Sequence, residues 1–74
     1  MNVERLVSMA NDIARYFASE PDREEGIAGI ASHIKRFWEP RMLQAITAHC
    51  RDADGAGLDE LALAAVRRLG TGGL

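Results

Sequence analysis

Three side chains in this sequence can bind a soft or borderline metal ion: His33, His49 and Cys50. Their spacing argues against it. His49 and Cys50 are neighbours, so on a helix their side chains diverge by about 100°, and no His-x-x-x-His or Cys-x-x-Cys pair is present. One cysteine also excludes an intrachain Cys-rich zinc or iron–sulfur site, whose ligand sets need several thiolates. It leaves no intrachain disulfide and points to a reducing, cytoplasmic setting. For catalysis the chain offers no Gly-rich phosphate loop and no G-x-S-x-G elbow. The carboxylates fall at helix starts and on solvated faces, and a small bundle lacks the enclosed pocket that would shift their pKa values. Cys50 reads as a small core residue rather than a nucleophile, and His33, four residues before Phe37, as a histidine at the edge of an apolar stripe. The expectation is a protein without catalytic, cofactor-binding or metal-binding residues of its own.

Chemistry of another kind gathers in HIKRFWEPRM, His33 to Met42, which holds the sole lysine, the sole tryptophan and Pro40, with Arg36 and Arg41 on either side of the aromatic pair. Phe37 and Trp38 project about 100° apart on a helix, so both reach a core only where other helices wrap that corner. Phe37 is expected inside; Trp38 suits either core or interface. Arg41 falls in the first turn of a helix, where a cation opposes the macrodipole by a few tenths of a kcal/mol, ~0.3 or more. Glu39 can compensate it within the chain; otherwise its acceptor lies elsewhere. Trp, Tyr, Arg and Met are enriched at interfaces. The candidate partner surface is therefore Trp38, Arg41, Met42 and Phe37, extended from the first helix by Tyr16 and Met9.

The elements that must position these residues are helices. Val3, Leu6, Val7, Ala10, Ile13, Ala14 and Phe17 fall on one helical face, predicting a first helix over about 2–19 with Asn2 as cap and Pro21 beyond its end. Asp22 caps a second, whose stripe runs through Ile27, Ile30, Ala31, Ile34, Phe37 and Trp38. Gly26 and Gly29 interrupt it, each at about 1 kcal/mol relative to alanine; a loosely begun helix is the expected reason, close approach of another helix the alternative. Glu39 before Pro40 ends this helix near Trp38, and Pro40 opens a third over about 40–51, with Met42, Leu43, Ile46 and Cys50 on one side. DADGAG is a loop in which Gly55 and Gly57 can take positive φ. A last helix begins after Asp59, with Leu58 and Leu63 placed as a hydrophobic staple, and Gly70 suits the position just past its end.

Seventy-four residues at 47% hydrophobic content predict one small all-α bundle of three to four short helices, residues 1–69, with 70–74 as a flexible tail. Glu4, Arg5, Asp12 and Arg15 interrupt the first apolar pattern, which is expected to be neither a signal-peptide core nor a membrane span. A net charge of −2 lacks the basic excess of nucleic-acid binders. Two alternatives stay open: a helix-turn-helix regulator reading DNA through Arg41, Gln44, Thr47 and Arg51, and a small helical homodimer.

MANDIARYF, HIKRFWEPRM and GAGLDELALAAVRRL, in that order, resemble the delta subunit of soluble NAD-dependent, molybdenum-containing formate dehydrogenases. The resemblance covers roughly residues 2–69 and is most specific at Phe37-Trp38-x-Pro40-Arg41-Met42, supported by Met9-Ala10-Asn11, Ile13-Ala14 and Phe17. It implies a small non-catalytic subunit of a cytoplasmic complex that interconverts formate and carbon dioxide. That complex carries bis-molybdopterin guanine dinucleotide, iron–sulfur clusters and FMN on its larger subunits and uses NAD. The implied role is assembly, stability or maturation, with the molybdenum-bearing alpha subunit as the expected contact, beside beta and gamma subunits.

Overall fold

Three of the helices start where a capping side chain or a proline ring suits the opening turn. In the computed structural model, which describes residues 2–70, α1 is Val3–Phe17, α2 Arg23–Phe37, α3 Pro40–Ala53 and α4 Glu60–Gly70. Asn2 Oδ1 accepts from the Glu4 N–H at 2.9 Å, and Asp22 Oδ1 accepts from the Glu24 N–H at 2.9 Å. These bonds satisfy donors that a helix start otherwise leaves to water. At α3 the cap is Glu39, whose side chain makes no capping bond, and Pro40 supplies the preset φ instead. The all-α expectation holds, and the helices number four. Gly70 is the last residue of α4 rather than the first beyond it, and the rest of the expected tail, 71–74, lies outside the described residues.

The core is built of large against small. α2 contributes Ile27, Ile30 and Ile34, all essentially inaccessible, while α1 and α4, which both pack on it, contribute Ala10, Ala14, Ala62 and Ala65. Alanines on the flanking helices let them approach the isoleucines closely, so that large and small side chains interdigitate. α3 packs on α4 and α1 through Ile46 and Cys50. α2 and α3 are joined through Trp38 and Glu39 alone, yet each packs mainly on α1 and α4 rather than on the other.

Glycine decides two approaches. A Cβ on Gly29 would lie 2.6 Å from the Phe17 ring, and one on Gly26 would lie 3.3 Å from the Phe17 carbonyl oxygen. The loosely begun helix is therefore corrected: α2 is regular from Arg23, and its glycines admit the end of α1. At the α3–α4 loop, Gly55 takes φ +68° with Leu63, Leu58 and Cys50 packed around it. Asp54 precedes it at φ 56°, a left-handed residue that aspartate tolerates. Asn11 buckles this loop to α1: its Nδ2 donates to the Gly57 carbonyl at 2.9 Å, and its Oδ1 accepts from the Asp59 N–H at 2.8 Å.

Candidate protein interface

α2 presents two faces. Ile27, Ile30, Ala31 and Ile34 turn inward, while Gly29, His33 and Phe37, four residues apart, line a stripe toward the end of α1. Phe17 lays its ring on the gap at Gly29 and meets His33 edge-on at 6.5 Å between centroids. His33 in turn sits 4.8 Å from Phe37, and Tyr16 meets Phe17 in a T-shaped pair at 5.1 Å. A ridge of rings, Tyr16–Phe17–His33–Phe37, thus runs across both helices. Beside it lies an open groove of about 600 Å³ lined by Asp12, Ile13, Tyr16, Phe17 and His33. At the Phe37 end of the ridge the Arg36 guanidinium carbon lies 5.7 Å from the Phe37 centroid, a cation–π contact worth about 0.5–1 kcal/mol at an exposed site.

Tyr16 and Phe37 are the exposed large hydrophobics among the described residues, 77% and 65% accessible. Their meeting on one ridge is the informative feature, since singly scattered apolar residues on a surface need no explanation.

Of the two corner aromatics, Phe37 is on the opposite side from the one expected, and Trp38, left open between core and interface, falls in the core. Phe37 is in register with Ile30 two turns earlier and was expected inside, but it is exposed; Trp38 is 7% accessible and belongs to the core. The reason lies in the backbone. Trp38 leaves the helix at φ −85°, ψ 141°, which carries its indole over the core and leaves Phe37 to the surface. Of the remaining candidate residues, Met9 and Met42 are half-buried against the core, and Arg41 is exposed with no ion pair among the described residues. Glu39 therefore does not compensate it. Phe17 and His33 on the ridge, and Arg36 beside it, were not among the residues expected at the partner surface. The four-residue spacing Gly29–His33–Phe37 was the signal available for them.

The other chemistries find little support in the geometry. His49 Nε2 lies 2.8 Å from the Ala56 carbonyl oxygen, which can only accept, so the ring donates there. Cys50 is buried, and burial pushes its thiol pKa up, against a smaller lowering by the Arg67 charge. A single buried thiol does not fit an iron–sulfur cluster, which needs several thiolates. Among the described residues no group of three His, Cys, Asp or Glu side chains is gathered to hold a metal ion. Of the four residues weighed for reading DNA, Arg41, Gln44 and Arg51 are exposed, while Thr47 turns its hydroxyl to the Leu43 and Gln44 carbonyls and its methyl toward Gly70. No helix among the described residues is long and apolar enough to cross a membrane.

The match to a protein-family model decides the affiliation: the family described as NADH-dependant formate dehydrogenase delta subunit FdsD matches residues 5–66. The chain belongs to the FdsD family. Comparisons with curated proteins and with solved structures gave no significant match. The FdsD match runs through α1, α2 and α3 and most of α4, so it takes in the whole ridge and the Trp38–Pro40 corner.

Proposed function

We propose that this chain is a non-catalytic delta subunit of a cytoplasmic, NAD-dependent, molybdenum-containing formate dehydrogenase. It docks on the molybdenum-bearing alpha subunit, within a complex that also contains beta and gamma subunits, and supports assembly, stability or cofactor maturation. Bis-molybdopterin guanine dinucleotide, the iron–sulfur clusters and FMN reside on the larger subunits. The observation that carries this reading is the family match over residues 5–66. The exposed pair Tyr16 and Phe37 supports a role through contact, because aromatic residues with arginine beside them are typical anchors of protein interfaces. In this reading Phe37, Tyr16, Met9, Met42 and Arg41 meet the partner, while Trp38 acts from inside by fixing where Phe37 points.

The test is to express the alpha, beta and gamma subunits with and without this chain. Recovered complex, molybdenum content and NAD reduction by formate are the quantities to measure. The expected result is co-purification of the chain, with lower yield or molybdenum content when it is omitted. A complex that assembles with full metal and activity, and never retains the chain, would sink the proposal.

A further inference from the structure

We infer that the groove between α1 and α2 receives an apolar segment of the larger subunit that carries a carboxylate beside its anchoring side chain, paired with Arg36. This rests on the function proposed above and adds the surface and the chemistry of its occupant.

The apolar half of the argument is the shape. Phe17 forms a floor, held down in the gap that Gly29 leaves, and Ile13, Tyr16 and His33 border a groove of about 600 Å³. The rings hold one another in edge-on and tilted contacts, so the surface is preformed and little ordering cost is left for binding. The polar half is charge. Four arginines away from the corner are matched within the chain: Arg15 with Asp12 at 3.1 Å, Arg23 with Glu60 at 3.4 Å, Arg51 with Asp52 at 3.2 Å and Arg68 with Glu24 at 2.7 Å. Among the described residues Arg36 meets the Phe37 ring and makes no ion pair, and Arg41, just past the corner, makes none either. A chain of net charge −2 thus leaves unmatched positive charge at the Phe37 end of its aromatic ridge. A partner carboxylate there gains a charge-assisted bond once the apolar anchor has displaced water. A second copy of this chain fits less well. On the ridge itself its one carboxylate is Asp12, already engaged by Arg15.

The experiment uses the full complex co-expressed with this chain. A photo-crosslinking p-benzoylphenylalanine replaces Phe37 in one variant and Arg51, in the last turn of α3, in another. Separately, Arg36→Glu, Phe37→Ser and Arg51→Glu chains are titrated against complex lacking the chain, with circular dichroism to confirm helix content. The expected result is crosslinking to the larger subunit from position 37 and not from 51. Arg36→Glu and Phe37→Ser should weaken binding about tenfold or more, as central interface residues do, with Arg51→Glu unchanged. Binding at wild-type strength by Arg36→Glu, with crosslinks from 51 alone, would overturn the groove assignment and leave the proposed function standing. Self-association of the isolated chain abolished by Phe37→Ser, without larger-subunit contact at 37, would assign the groove to a second copy and overturn it too. A wild-type chain that never associates with the complex would remove the function itself, and this inference with it.

Discussion

Trp38 and Phe37 are joined by one peptide bond, and truncating them removes aromatic rings from opposite environments. Trp38 is core and Phe37 is surface. Trp38→Ala is expected to cost about 3–5 kcal/mol, as large-to-small core substitutions of aromatics do, which approaches the whole stability of so small a domain. Phe37→Ala should cost only about 1 kcal/mol, chiefly the lost contacts with Arg36 and His33. Thermal melts followed by circular dichroism of the two variants check this directly, and similar melting points would refute the assignment of the two rings. Cys50 supplies a pH signature. Its folded-state pKa is raised, so the unfolded chain loses this proton first as pH rises. Its contribution to stability is complete below the ordinary thiol value of 9.0 and is lost as pH climbs through the higher folded value. Urea unfolding from pH ~8 to ~10.5 should therefore show a steeper alkaline loss for wild type than for Cys50→Ala. Equal slopes would count against the buried thiol.

The α3–α4 connection stands on a residue that has no side chain. Gly55 combines φ +68° with a position where a Cβ would overlap the Leu63 side chain and lie 3.3 Å from Cys50 Sγ. Gly55→Ala should cost about 1–2 kcal/mol for the left-handed backbone and about 1–3 kcal/mol more for overpacking. Chemical denaturation measures the total, and a loss under ~1 kcal/mol would mean that the loop relaxes freely. Periodicity and capping residues suffice for most elements. Asn2, Asp22 and Pro40 begin three helices as their types predict, because capping acts within one turn of chain. The reading failed at Gly26 and Gly29, whose purpose depends on where Phe17 of another helix arrives.

As a whole, the molecule is held by apolar packing with surface charge laid over it. Its inter-helix ion pairs, Arg23–Glu60 and Arg68–Glu24, join α2 to α4 with side chains 41–79% accessible. Such pairs contribute about 0–1 kcal/mol each and are screened by salt. Raising sodium chloride to ~1 M should consequently change the unfolding free energy of the isolated chain by less than about 1 kcal/mol. A much larger fall would show that charge, not the isoleucine–alanine core, carries the fold. Binding to the larger subunit, unlike the fold, should be salt-sensitive, weakening as salt screens Arg36.

The sequence by itself determined the four helices, the caps at Asn2 and Asp22, the inward face of α1 and the family. These follow from local periodicity and from motifs in order along the chain. Phe37, Trp38, the glycines of α2 and the ridge were decided only in the tertiary structure. A residue's helical phase says which way it leaves its own axis. Whether that direction meets core or water depends on α1 and α4 arriving there, and on a backbone that abandons the helix at Trp38. For the same reason HIKRFWEPRM did not reveal which of its two rings faces outward.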